Sequence, residues 1–128
     1  MVIDSSALVA VLEGEQEADG IMDALLHASR LLISTASVVE AGIIVETRRG
    51  ESGGRELDLL LHRMRVEQVP LSPEQADLAR AAYRRFGKGR HPARLNLGDC
   101  FAYALAQATG DPLLFVGDDF SRTDIPAA

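Results

Sequence analysis

Asp4, Glu40, Asp99 and the pair Asp118–Asp119 are the residues of this sequence best placed to do chemistry. Each is a carboxylate beside or inside a stretch whose pattern calls for burial. Asp99 falls in the first turn of Leu97 to Ala108, a run almost wholly apolar or small and too short to cross a bilayer. A helix apolar on nearly every side belongs inside a fold, where an unpaired charge is costly. Two readings of Asp99 stand open. With Asn96 as N-cap, it finishes the start of the helix near the positive end of the dipole. With other acids beside it, it holds a cation.

The other acids have the same two-sided character. At about 100° per residue, Glu40 shares a helix side with Ala36, Ser37, Ile43, Ile44 and Thr47, whereas Glu46 points elsewhere. A salt bridge or a snorkelling side chain would also account for a glutamate there. Asp4 directly follows the apolar Met1–Ile3 and precedes a helix, so it is a cap or a ligand. Asp118 and Asp119 follow the apolar Leu113–Val116 through Gly117. Oxygen-only carboxylate sets suit hard divalent ions such as Mg²⁺ or Mn²⁺, and no Cys/His spacing points to zinc.

The elements that must position these acids follow from the pattern. Met1–Ile3, Leu31–Ser34, Val66–Leu71 and Leu113–Val116 read as short strands. Helices are expected over 7–12, 15–29, 36–48 with Thr35 as N-cap, 55–65, 73–86 and the central run from Leu97. Ser72-Pro73-Glu74-Gln75 is a helix start, with Ser72 as cap, Pro73 at the first position and Gln75 closing a capping box. Gly50-Glu51-Ser52-Gly53-Gly54 reads as a loop. Helices alternating with short apolar runs predict an α/β fold with a mainly parallel sheet, one domain over residues 1–128. Such sheets gather ligands at the carboxyl ends of their strands. Asp4 and Asp118 or Asp119 would meet there, with Asp99 and Glu40 reaching the same edge from helices.

The net charge of −6 is unevenly spread. Residues 1–47 carry one arginine against eight acids, and residues 95–128 one arginine against five acids. Residues 48–94 carry eleven lysines and arginines against six acids. An acidic chain is no obvious nucleic-acid binder, but this distribution puts carboxylates in a site and cations around it. Gly87–Arg94 is a glycine-rich basic loop of a kind that contacts phosphate. Arg48, Arg49, Lys88, Arg90 and Arg94 are the candidates to hold a nucleic-acid backbone. The single cysteine, Cys100, excludes an internal disulfide framework and fits a reducing, cytoplasmic setting. No basic leader and no long apolar run is present, so neither a signal peptide nor a membrane span is expected.

Several catalytic patterns are absent. The first strand ends in Asp4-Ser5-Ser6, not the Asp-x-Asp of haloacid-dehalogenase phosphatases. No late strand ends in the lysine of response-regulator receivers, and no phosphate-loop or G-x-S-x-G motif occurs. Instead, four segments in order resemble the PIN domain, and more narrowly the VapC toxins of bacterial toxin–antitoxin pairs. They are Met1–Ala7, Ser37-Val38-Val39-Glu40, Leu95–Cys100 and Leu114–Phe120. The resemblance implies a three-layer α/β/α sandwich with four to five short strands and a metal-dependent ribonuclease activity. It implies Asp4, Glu40 and Asp99 as the three main acids. The fourth falls in the Asp118–Asp119 pair, with Asp118 favoured as nearest the strand end. Asp4, Asp99 and Asp118 would hold Mg²⁺ or Mn²⁺, with Glu40 and Asp119 as further ligands and Ser5 or Ser6 in support. The resemblance also implies an RNA substrate, a homodimer and a larger complex with a VapB antitoxin. Two other readings remain: a structure-specific DNA nuclease with the same carboxylates, and a non-catalytic binding module whose acids are caps and salt bridges.

Overall fold

The computed structural model describes residues 1–128. Four short strands form one parallel sheet in the order β3-β2-β1-β4: β1 (Val2–Ile3), β2 (Leu32–Ser34), β3 (Glu67–Val69) and β4 (Leu113–Leu114). Six α-helices connect and flank them: α1 (Ser5–Leu12), α2 (Ala18–His27), α3 (Thr35–Arg49), α4 (Glu51–Arg63), α5 (Pro73–Phe86) and α6 (Leu97–Thr109).

The period of two along a strand decides what packs where. Val2 pairs with both Leu32 and Leu113, and these three point to one face. There they meet Ala82 and Phe86 of α5 and Ala102 and Leu105 of α6. Ile3, Ile33 and Leu114 point to the other face, against Leu8, Leu25, Val45 and Leu61 of α1 to α4. The result is three layers, helices on both faces of a sheet: the alternating pattern predicts the parallel sheet, and the family resemblance implies the sandwich. The apolar strands are buried on both sides, as parallel strands usually are. Leu105 has no exposed surface, and truncating such a leucine to alanine costs about 2–5 kcal/mol. The exception is β3, whose Glu67 and Gln68 are exposed at the sheet edge. No helix is long and apolar enough to cross a membrane.

The structure departs from the sequence reading at several places. Glu51–Gly54 is not a loop but the first turn of α4, and the chain breaks only at Gly50, whose φ is +67°. Gly53 is there for contact: a Cβ on it would stand 2.6 Å from the Val45 carbonyl oxygen. Its lack of a side chain lets α4 lie close on α3. Ser34, not Thr35, caps α3, its hydroxyl accepting the Ala36 N–H at 3.2 Å. Thr35 instead accepts the Leu71 N–H at 3.3 Å, tying the exit of β3 to the start of α3. The Ser72 box closes on one side only. Ser72 accepts the Gln75 N–H at 3.1 Å, while the buried Gln75 Oε1 has no partner. β4 stops at Leu114, and the residues beyond it turn away. The outer edge of β4 is covered by the C-terminal segment, with Leu113 N–H donating to the Pro126 carbonyl and Ala128 N–H to the Leu113 carbonyl, each at 2.9 Å.

Candidate active site

β1 lies between β2 and β4, so connections leave it in opposite directions along the sheet. Crevices of α/β sheets open at such a reversal, beyond the carboxyl ends of the strands. Asp4 follows β1 at that point, and its N–H donates to the Leu114 carbonyl of β4 at 2.9 Å. Its side chain caps α1: Oδ2 accepts the Ser6 N–H at 3.0 Å. The cap uses one oxygen. The other, Oδ1, is buried and has no partner, in a residue only 2% exposed. Burial pushes the Asp4 carboxyl up to about 7 against the pull of the Ser6 hydrogen bonds, and the charges of Asp99 and Glu40 add to the rise.

Asp99 resolves its two readings by satisfying both. It forms a full capping box with Asn96: Asn96 Oδ1 accepts the Asp99 N–H and Asp99 Oδ2 accepts the Asn96 N–H, each at 2.9 Å. It also faces the other acids. Burial raises its carboxyl to about 6, the Asn96 hydrogen bond opposes the rise, and Asp119 and Glu40 add to it.

Glu40 reaches the edge from α3. The Ser5 hydroxyl donates to its Oε1, and its carboxylate lies against the backbone of Gly98, where any Cβ would overlap it. Gly98 is therefore the space that Glu40 occupies. Ser6 ties in the last segment, its hydroxyl oxygen accepting the Val116 N–H at 3.0 Å. Beyond it the chain turns at Gly117, with φ +100°, into the exposed Asp118 and Asp119. Of this pair, Asp119 is the one whose charge raises Asp99. The carbonyl of Asp118 accepts the Ser121 hydroxyl at 2.6 Å, which fixes the turn.

The fold thus brings Asp4, Glu40, Asp99 and Asp119 to one edge. No three of them converge to ion-holding distance as the side chains stand. Like charges spread apart, and Glu40 is turned onto Ser5. The chemistry of the set nevertheless fits a hard divalent cation. All donors are oxygens, one of them is buried without a partner, and two carboxyls are raised by burial and mutual repulsion. A cation would relieve each of these costs.

The cations proposed from sequence divide. Arg49 is occupied, 2.6 Å from Glu56 and 3.4 Å from Glu13. Arg48, Lys88, Arg90 and Arg94 are exposed, the last three in the loop that leads into α6. His91 has a structural role: its Nδ1 accepts the Ala93 N–H at 3.0 Å and its ring packs edge-on to Phe86 at 5.0 Å. Cys100 is buried, its thiol pushed up to about 11, and so is inert. Sequence reasoning passed over Arg80 and Arg84, although their spacing with Tyr83 puts all three on one side of α5.

The family model of the PIN domain matches residues 1–126 of the chain. Ribonuclease VapC30 of Mycobacterium tuberculosis is 56% identical over 126 residues, covering 98% of this chain and 95% of that protein. Among solved structures, Mycobacterium tuberculosis VapC20, described as a sarcin–ricin loop cleaving toxin, aligns with a TM-score of 0.82 at 14% identity, over 99% of this chain and 97% of its own. VapBC2 of Rickettsia felis, bound to a DNA fragment from its promoter, aligns with a TM-score of 0.75 at 15% identity, over 98% and 94%.

Proposed function

The chain belongs to the PIN domain family, and from that premise we propose that it is a metal-dependent endoribonuclease, the toxin of a VapBC-type toxin–antitoxin pair. The family match and the relatives named as VapC ribonucleases support the activity. The observation that carries the site assignment is the buried, partnerless Oδ1 of Asp4 among carboxylates that raise one another. Asp4 and Asp99 would hold the ion, each having one carboxylate oxygen outside its cap. Asp119 or Asp118 completes the set, with Asp119 preferred because its charge acts on Asp99. Mg²⁺ or Mn²⁺ is the ion that suits these donors.

When bound, the ion lowers the pKa of a water and offsets charge on the scissile phosphate. The protein residues do the rest. With a cation bound, Asp4 and Asp99 would stay ionised, its charge offsetting the cost of their burial and of their mutual repulsion. Glu40, aimed by Ser5 and seated on Gly98, orients the attacking water or takes its proton. Lys88, Arg90 and Arg94 hold the RNA backbone on the side where α6 begins. We place the protein in the cytoplasm, as a homodimer whose activity a VapB-type antitoxin restrains by covering the acid edge.

Induced expression in bacteria, followed by mapping of new RNA 5′ ends, tests the reading. The parent should produce a few sharp ends, and Asp4→Ala none. The same ends in both proteins would refute the site. DNA cut in preference to RNA under competition would support the structure-specific DNA nuclease instead.

A further inference from the structure

Between α5 and α6 runs an open groove of about 690 Å³, within the size class of clefts that seat small ligands. Its lining is mainly apolar: Ala79 and Cys100 are buried in it, and Tyr83 and Leu97 are exposed. Its rim carries Arg80, Arg84 and Lys88, and no acid lines it. In a chain of net charge −6, that is a local reversal of sign. These cations are available. Arg84 and Lys88 make no ion pair, and Arg80 has only an exposed contact with Asp77 at 4.0 Å. The adjacent Arg85, by contrast, is held by Asp124.

The groove touches the acid edge at one residue. Asn96 lines it and also exchanges both capping-box hydrogen bonds with Asp99. Leu97, also in its lining, is 71% exposed. Tyr83 presents a ring that is 39% exposed yet fixed. Its hydroxyl donates to the Lys88 carbonyl at 3.4 Å, and the Arg90 guanidinium stands 5.9 Å from its centroid. A Cβ on Gly87 would overlap its edge. A ring already held loses little entropy when something packs on it.

We propose that this groove is a subsite for a short single-stranded RNA segment flanking the scissile phosphate, with Arg80, Arg84 and Lys88 against phosphates and a base against Tyr83. The proposal rests on the ribonuclease reading and extends it. Charge complementarity and position point the same way. The acids that hold an ion repel a polyanion, and this groove is a cationic surface that shares a residue with their cap. A single strand is specified because the apolar floor needs an unpaired, unstacked base, which an A-form duplex does not offer. Fixed aromatic rings beside cations are how single-stranded nucleic acid is held without sequence readout.

The test uses the full chain carrying Asp4→Asn, to stop cleavage, and a short fluorescein-labelled single-stranded RNA of mixed sequence. Anisotropy is followed between about 50 and 200 mM salt. Arg84→Gln with Lys88→Gln should flatten the salt dependence by about 0.7 in slope for each phosphate no longer neutralised. Tyr83→Ser should weaken binding about tenfold, in the range for removal of one base–aromatic stack, while Tyr83→Phe binds as the parent does. Arg55→Gln, on the other face of the sheet, should change nothing. Duplex RNA of the same sequence should be indifferent to Tyr83→Ser. Unchanged affinity and slope in the groove variants would overturn the proposal. So would a change in their solution mass that accounts for the weaker binding, because the groove would then be covered by a second copy. Metal-dependent RNA cleavage by the unsubstituted protein is measured alongside. Cleavage with groove variants that bind normally removes the groove alone; neither binding nor cleavage removes the ribonuclease reading with it.

Discussion

Asp4 and Asp124 occupy opposite situations in the same fold. Asp124 is fully partnered: it accepts the Tyr103 hydroxyl at 2.6 Å and pairs with Arg85 at 3.3 Å. The Tyr103 hydrogen bond, more than Arg85, holds its carboxyl below the ordinary value, and Tyr103 in turn is pushed up to about 12, chiefly by burial. Asp4 has one oxygen in a cap and one with nothing. The first arrangement pins the C-terminal segment to α5 and α6. The second leaves a buried charge uncompensated at the edge of the sheet. A fold that finishes its polar groups in one place and leaves them open in another marks where a ligand belongs.

The contrast breaks most sharply on substitution of the acids. Asp4→Asn or Asp99→Asn should lower metal-dependent RNA cleavage at least about a hundredfold while the fold survives. Without added metal, Asp4→Asn should stabilise the protein. Its carboxyl rises from 3.8 to about 7, so the burial cost is absent below about pH 4 and grows as pH rises to 7. Three pH units correspond to an upper figure of about 4 kcal/mol at neutral pH. Urea unfolding at pH 4 and 7 measures it: the parent should weaken more between the two than Asp4→Asn, which keeps only the smaller cost of the raised Asp99. Equal weakening in both would show that Asp4 is not the source.

Added Mn²⁺ should reverse that weakness. At a hundred times its dissociation constant it raises stability by about 2.7 kcal/mol, seen as a rise in Tm in the parent and little in Asp4→Asn. Gly98→Ala comes next. A Cβ there displaces the far end of a flexible glutamate rather than backbone, so stability should change by less than about 1 kcal/mol. Cleavage should still fall about tenfold, the scale seen when a supporting residue is removed. Normal cleavage would mean that Glu40 is not needed where it sits.

The smallest effect sharpens the finished side. Tyr103→Phe should cost about 1 kcal/mol of stability with cleavage unchanged. Because Asp124 is held below its ordinary value, its contribution is present above about pH 4 and is lost as pH falls through the lowered value. Acid titration of the fold should therefore show a shallower low-pH decline in Tyr103→Phe. A change in RNA cleavage would show that the two regions are coupled.

The helices and all four strand positions were legible because their apolar spacing is a local signal, weakest at the exposed β3. Ser72-Pro73 and Asn96 with Asp99 announced their caps directly. Other features were hidden because they depend on contact. Gly53 and Gly54 read as loop residues, yet their small size serves the α3–α4 packing. Ser34 and Thr35 are both plausible caps, and only the nearness of Leu71 divides their work. Which of Asp118 and Asp119 faces Asp99 depends on the turn at Gly117, for which the residue types give no direction. Arg80 and Arg84 carry no local signal of a site, because the groove they line exists only where α6 packs beside α5.

The strand order has a consequence in time. β1 pairs with β4 at Leu113 and Leu114, and Ser6 bonds to Val116 across 110 residues. The contacts among α1 to α4 can settle early, but β1 lacks its second neighbour until β4 reaches it. Long-range parallel pairings of this sort form late and slowly. A folding chain therefore carries Asp4 and Asp119 apart until this pairing closes, and the acid edge is among the last parts of the fold to form.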